Sequence, residues 1–525
     1  MGKGHAPLRG NHSFRRAELE ARLTAAQGQT LGQVDRAGVF RRAAGKDKIT
    51  GIAGAVIEQS VLGLPADQAQ SPDLDVDGVP IELKTIGVRK KTEGRLTSYE
   101  AKEPATITAV SLDRIAGETF EDSSFWHKAK HILFVFYHYD APGTVPAGDY
   151  ARFRIVGHRF YQFSPSDEAI LRRDWQLVHD FVSHIQASHP IQEAEQLYPL
   201  LSTRVNRETA YLDTAPKYPN PPRFRLRRRV VSAIVQEALG PNELTRLPGC
   251  YTGYPDLERR CGQLTAQFRG RTIRQILEET GGPVICGPVP KHLAERTVVR
   301  MFGGEAKRIS QIGLFQKFGY IGKTVTLSDR GYHTEATKLF PADLEEIAEP
   351  IVWEEDGAQR IKDFQDSELY ASLQDSRMLF AIFQEPPSGG SGRGRLEDSI
   401  FQGFKVLELS DLIPPARLAW EEARRTLLSG GLTTVPVLDR LGCQRYTPKT
   451  ALPMEAPNLP KAADHVLFFR GGGKTAADKV EVLGISMLRQ YYWVHGKFLA
   501  GRLRELPFLD GTWAPGPYGG GGAAP

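Results

Sequence analysis

The chain is poor in cysteine: Cys250, Cys261, Cys286 and Cys443 are four in 525 residues, and no two form a C-x-x-C pair. That excludes a disulfide framework and a zinc site of ordinary spacing, and leaves buried free thiols as the expectation. Long apolar runs are also missing. The longest, Ile132-Leu133-Phe134-Val135-Phe136-Tyr137, falls far short of the roughly 20 residues that span a bilayer. Met1 to Asn11 lacks the apolar centre of a signal peptide. A cytoplasmic protein with no membrane partner is expected. Nor does one sign of charge dominate, since 67 Lys+Arg face 62 Asp+Glu for a net charge of +5. What matters is where the positive charge gathers. Hydrophobic residues at 41% and charged residues at 25% are the balance of an ordinary globular protein. At roughly 100 to 200 residues per domain, the length implies two to four domains.

A long, weak repeat organises the chain. Gln29 to Val34 precedes the helical stretch Gly51 to Gly63, and Arg271 to Ile276 precedes Lys291 to Gly303. A strand at Ile81 to Val88 is echoed at Thr324 to Leu327, and the helix and buried strand of Ser123 to Tyr137 at Ser367 to Phe383. A helix around Trp175 is echoed around Trp420, and Phe224 to Glu237 is echoed by Tyr492 to Glu505. The same order repeated implies two domains, about 1–240 and 241–510, with turn residues at Gly240-Pro241-Asn242 marking the boundary. Pro386 to Gly392 reads as a flexible loop and 511–525 as a disordered tail. Strands and helices mix within each half, so the class is α/β (mixed α+β) with a mixed sheet.

The stretch Pro72 to Ile86 carries the chemistry. Asp77-Gly78 is a two-residue hairpin signal, and Val79 to Val88 reads as the strand leaving it. Side chains alternate along a strand, so Glu82 and Lys84 share a face. With that turn, Val76 pairs with Val79 and Asp75 with Pro80, placing Asp75 on the same face and diagonal to Glu82. Parity alone does not separate Asp75 from Asp73. Carboxylates hold Mg²⁺ while leaving it several waters, and a lysine beside them can orient or deprotonate the attacking water. This is the equipment of phosphodiester hydrolysis; a solvated hairpin with an exposed Glu/Lys pair is the plainer alternative. Glu58, on a short helix from Gly51 to Leu62 capped by Thr50 and stopped by Gly63, sits among small and apolar neighbours and needs a partner. A metal shared with the hairpin would supply it.

These residues resemble a known family. Residues 12–237 resemble MutH, the mismatch-repair endonuclease, and more closely the two-domain, GATC-cleaving (Sau-type) type II restriction endonucleases. The resemblance rests on Gly28-x-Thr30-Leu31-Gly32, Gly54-x3-Glu58, and Asp75-x6-Glu82-x-Lys84 within Glu82-Leu83-Lys84-Thr85. It continues through Ala101-Lys102-Glu103, Ser124-x2-His127-Lys128 to Phe136, Leu171 to Trp175, and Phe224 to Val235. It implies a restriction-endonuclease-like (PD-(D/E)xK) core, with Glu58, Asp75 and Glu82 around Mg²⁺ and Lys84 at the attacking water. It also selects Asp75 over Asp73, and places Lys128 at the scissile phosphate. Lys48 lies near a family lysine but at different spacing, and no role is carried over to it.

Positive charge gathers in Arg223 to Arg229, five arginines in seven residues, opening the amphipathic helix Val230 to Ala238. Arg225, Arg227, Arg228 and Arg229 are expected to meet double-stranded DNA at phosphates or guanine edges. The family adds Arg204 in the Ser202 to Asn206 loop. In the second half, Gly63 laid on Gly303 puts Glu58 on Val298, and Gly78 laid on Gly319 puts Glu82 on Lys323 and Lys84 on Val325. That copy is therefore expected to be degenerate, engaging a second DNA site or supporting a DNA-induced homodimer. His465 to Thr475 resembles a phosphate loop, but Phe468 stands where its first glycine is required. The leading expectation is a Mg²⁺-dependent type II restriction endonuclease cutting GATC to 5′-phosphate ends. A mismatch-repair nickase and a non-catalytic DNA-binding regulator are the alternatives.

Overall fold

The computed structural model describes residues 12–43, 51–65, 72–93, 96–141, 145–240, 244–283, 289–290, 292–328, 335–353, 359–386, 395–439, 441–447, 451–473 and 478–510. Lys48, Thr50, Cys286, the 387–392 part of the expected loop and the 511–525 tail lie outside them. Contacts divide the chain into two compact units, Met1–Glu258 with Ser310–Phe318, and Arg259–Ile309 with Gly319–Pro525. The division assigns residues 241–258 to the first unit. It also assigns the helix Gly313–Phe318 there, where Lys317 Nζ lies 3.2 Å from Asp167 and 3.5 Å from Glu237.

The first unit is built on a mixed sheet. Its strands are β1 (Ser13–Phe14), β2 (Leu74–Val76), β3 (Val79–Glu93), β4 (Leu96–Ala101), β6 (Ile132–His138) and β7 (Arg154–Tyr161), with a smaller sheet of β5 (Ala105–Ala109), β8 (Leu212–Asp213) and β9 (Arg223–Leu226). The main sheet runs β1-β2-β3-β6-β7, and β4 pairs with the far end of β3. β3 and β6 are parallel, while β2 and β7 flank them antiparallel. Ile132 to Phe136 is buried throughout, as an unbroken apolar run must be when a strand has neighbours on both sides. The turn before β3 has Asp77 at φ 51° and Gly78 at φ 81°, two positive values as a type I′ turn demands. Val76 pairs with Val79, Asp75 with Pro80 and Leu74 with Ile81.

The helix expected over Gly51 to Leu62 starts as an α-helix, Ile52–Val56, and widens into a π-helix, Ile57–Leu62, before Gly63 stops it at φ 77°. Leu19, Leu23, Val56, Leu83 and Leu133 are among the buried residues that join these helices to one face of the sheet.

The second unit repeats the hydrogen-bonding plan. Thr30 and Gln33 form a capping box, as do Thr272 and Gln275. Gly28 N–H and Leu31 N–H donate to the carbonyls of Ile155 and Phe153; Gly270 N–H and Ile273 N–H donate likewise to Phe401 and Ser399. Ser123 and Ser367 each cap a helix and donate back to the carbonyl of Phe120 and Phe364. The strand Tyr320–Leu327 runs parallel to Arg377–Gln384, which pairs antiparallel with Ile400–Glu408. The bulge at Phe136/Tyr137 recurs at Ile382/Phe383, opposite Gly157 and Gly403.

This register corrects the sequence pairing of the halves. Glu82 faces Ile132 and Lys84 faces Phe134, and the matching bulges equate those partners with Met378 and Phe380, which face Ile321 and Lys323. Glu82 therefore corresponds to Ile321 and Lys84 to Lys323, two residues earlier than the glycine alignment suggested. The cysteines also differ from expectation: Cys261 is buried, but Cys250 and Cys443 are exposed.

Replacing Thr30 or Thr272 with alanine removes a side-chain cap and is expected to cost about 1 kcal/mol of unfolding free energy in each case. Denaturant melts of the two variants check it.

Candidate active site

β3 delivers Glu82 into the interior. The residue is 1% exposed, because β3 is covered by β2 and β6 at its edges and by the helix Ser124–Ala129 nearby. Glu82 Oε1 lies 2.8 Å from Lys84 Nζ and 3.2 Å from Lys128 Nζ. Both ammonium groups serve this one oxygen; Glu82 Oε2 is buried with no hydrogen-bond partner among the described residues. Burial pushes the Glu82 carboxyl above its ordinary range. Lys84 pulls it back, Asp73 adds a push in the same direction as burial, and Lys128 also pulls it back.

Hairpin geometry places the other expected groups. Asp75 Oδ1 accepts the Gly78 N–H at 2.9 Å, so this carboxylate closes the turn. Asp73 Oδ2 accepts the Leu83 N–H at 2.8 Å, one residue from Glu82. Glu58 is on the π-helix, and a Cβ on Gly54 would lie 3.6 Å from Glu58 Oε1 and 3.5 Å from Thr85 Oγ1. Thr85 alternates to the opposite strand face from Glu82 and Lys84. Among the described residues, no three His, Cys, Asp or Glu side chains assemble into a preformed metal cluster. Glu82, Lys84 and Lys128 are thus brought together, while Glu58 stands beside Thr85 and Asp75 at the turn.

The arginine segment departs most from the sequence reading. Arg223 to Leu226 is strand β9, and the helix begins at Arg228. Arg227 is 3% exposed, and its guanidinium donates to the carbonyl of Asn206 and, at 2.9 Å, to Thr209 Oγ1. Arg228 Nε donates to Ala101 O at 2.8 Å. Arg229 donates to Lys317 O, Ala210 O and the Tyr254 hydroxyl at 3.0, 2.8 and 2.7 Å. These three side chains cross-link the unit: Arg227 is buried, and Arg228 and Arg229 are half-buried with partners inside the protein, where a DNA-reading surface was expected. Arg225 pairs with Asp213 at 2.7 Å on a half-buried strand. Arg204 is exposed before the 3-10 turn Val205–Arg207.

Residues 62–174 match the family model described as the DNA mismatch repair enzyme MutH. The type II restriction enzyme Sau3AI of Staphylococcus aureus is 22% identical over 399 residues, 70% of this chain and 72% of that one. MutH of Shewanella amazonensis is 26% identical over 227 residues, 42% of this chain and 94% of its own. MutH of Yersinia enterocolitica is 27% identical over 165 residues, 31% of this chain and 66% of its own. The matched stretch lies within the first unit, which is similar to MutH.

Two features of this MutH-like unit escaped the sequence. Lys128, expected at the scissile phosphate, also grips Glu82 from a separate helix; nothing in the intervening residues encodes that distance. Asp174 is fully buried and accepts the N–H groups of Ala210, Tyr211 and Leu212, which fixes the loop that Arg227 also holds. Its motif neighbours Leu171 and Trp175 are buried beside it in sequence, so the motif is a structural anchor.

Arg227→Ala leaves buried carbonyls without a donor and is expected to cost roughly 2–3 kcal/mol of stability. Equilibrium unfolding in urea measures it, and Arg204→Ala is expected to leave stability unchanged.

Proposed function

We propose that the chain is a type II restriction endonuclease that uses Mg²⁺ to hydrolyse both strands of DNA at a short site, GATC, leaving 5′-phosphate ends. It is a site-specific deoxyribonuclease, as its likeness to a restriction enzyme and to MutH supports. The observation that carries the reading is Glu82: a buried carboxyl with one oxygen between two lysines and the other without a hydrogen-bond partner among the described residues. A buried carboxylate oxygen without a donor is costly unless a cation joins it. The donor set, hard oxygen beside ammonium groups, fits a divalent metal that retains water.

The residues that would hold the metal are Asp75 and Glu82, with Glu58 a supporting carboxylate. When bound, Mg²⁺ would polarise the scissile phosphate and lower the pKa of a water. Lys84 Nζ, fixed by Glu82 Oε1, orients the attacking water and takes part of the charge that builds on the phosphate. Lys128 Nζ, held by the same oxygen, faces a phosphate oxygen. Arg204 and Arg225 are the remaining arginines of the expected set assigned to DNA.

The reading includes a PD-(D/E)xK core in a duplicated fold, divided near residues 240 and 241 and ending near 510, and a cytoplasmic location. The recurrent caps and register favour duplication. In the second copy Ile321 replaces the glutamate while Lys323 keeps the lysine, so that copy cannot hold the metal in the same way. It serves instead to engage a second DNA site or a DNA-induced partner copy. No described helix is long and apolar enough to cross a membrane.

Glu82→Gln is expected to lower plasmid cleavage roughly 100-fold or more while DNA binding in a gel-shift assay persists. Wild-type cleavage by this variant would sink the reading. EDTA is expected to stop cleavage and added Mg²⁺ to restore it. Duplexes with and without GATC, with both strands end-labelled, distinguish double-strand cutting from nicking and establish the site.

A further inference from the structure

The strand that carries Glu82 and Lys84 continues past the sheet. β3 is 15 residues long, and its pairing with β6 ends at Val88 opposite His138. From Arg89 to Glu93 its one strand partner among the described residues is β4, which runs back from Leu96 to Ala101. A two-stranded ribbon is marginally stable by itself, but the root of this one is held. Val88 and Ala101 are fully buried, and the Val88 carbonyl accepts the Tyr139 N–H at 2.9 Å. Ala101 N–H donates to Ser232 Oγ at 3.0 Å, Arg228 Nε donates to Ala101 O at 2.8 Å, and Arg228 lies 3.4 Å from Glu100. The helix Arg228–Leu239, expected on DNA, thus braces the ribbon instead. Two groups assigned to DNA bracket the root: Lys84 is four residues before Val88, and Arg225 stands opposite Thr106, five residues after Ala101.

Along the ribbon, Arg89 stands opposite Glu100 and Lys90 opposite Tyr99. The Tyr99 ring packs edge-on against His138, 5.9 Å between centroids. Lys90 is exposed and pairs with no carboxylate among the described residues. The register is unbroken from Glu82 to Glu93, so Lys90 lies on the strand face of Lys84. Six residues of strand separate them by roughly 20 Å. A site of four base pairs is shorter, about 14 Å at 3.4 Å per base pair.

We propose that the ribbon formed by the outer parts of β3 and β4 is a DNA-backbone arm, and that Lys90 meets a phosphate outside the recognised base pairs. This rests on the nuclease reading above and supplies a cation where the buried arginines do not. An ammonium group is a compact point charge suited to a phosphate oxygen. Such a contact orients the protein on the duplex and carries no sequence information. Because the arm grows from the strand of Lys84, a phosphate held at Lys90 also aligns the duplex with that lysine.

The test uses the full chain in EDTA, with fluorescence anisotropy of two labelled duplexes that carry GATC at their centre. One has about 30 base pairs; the other has about 8, roughly 27 Å, and is closed by a loop at one end so that it stays paired. Lys90→Ala and Lys90→Gln are expected to bind the long duplex about eightfold more weakly at 0.1 M salt, the factor that a slope of 0.9 gives over the decade below 1 M. Their slope of log affinity against log salt is expected to be shallower by about 0.9 on the long duplex. Affinity for the short duplex is expected to stay at the wild-type value, and Lys90→Arg to restore binding to the long one. Wild-type affinity and slope of both neutral variants on the long duplex overturn the inference. An equal loss on both duplexes also overturns it, since that marks a contact within the site or a general loss of folding. Either result leaves the nuclease reading standing if the wild type cleaves plasmid with Mg²⁺. Wild-type protein that binds neither duplex and cleaves no DNA overturns that reading, and the inference with it.

Discussion

The parallel pairing of β3 with β6 is the constraint on which the rest depends. A parallel pair needs a crossover, and here the crossover brings the helix Ser124–Ala129 back over β3. Lys128 comes with that helix, so the topology that buries Glu82 also supplies its second cation. The pairing is specific because Ile132 to Phe136 has no polar face to offer solvent. With β6 seated, β3 cannot slip by one residue without turning Glu82 into the apolar core and Leu83 toward the lysines.

Burying a carboxyl is unfavourable, and the site accepts that cost incompletely offset. Two ammonium groups meet one oxygen and pull the carboxyl down, but burial outweighs them and holds it above its ordinary range; the other oxygen has no hydrogen-bond partner among the described residues. Such a carboxyl is poorly satisfied by the protein alone. The second unit illustrates the converse. Its caps, bulge and strand pairing are the same, but Ile321 occupies the position of Glu82. At that position the fold accepts an apolar side chain, half-buried in the second unit. Lys323 remains, pushed below the ordinary lysine range chiefly by burial.

How much was legible follows from how local each signal is. Asp77-Gly78 specifies a turn by itself, since both residues tolerate positive φ, and the turn then determines the Val76–Val79 register and the common face of Glu82 and Lys84. Thr30 and Gln33, three residues apart, announce their capping box in the same way. The choice between Asp73 and Asp75 was not legible, because parity is the same for both. Nor was the fate of the arginines: a cluster such as Arg227 to Arg229 reads as a basic surface until the loop at Asn206 to Ala210 is folded over it.

By itself the sequence determined the mixed α/β class, the hairpin and the presence of a carboxylate and lysine on one strand face. These depend on turn chemistry, capping and side-chain alternation, all acting within a few residues. Tertiary structure decided that Lys128 joins Glu82, that the Asp73 carboxylate accepts the Leu83 N–H, and that three arginines bind carbonyls. Each of those contacts joins segments between 10 and 127 residues apart. Distances of that kind arise only when the sheet closes and the loops settle on it.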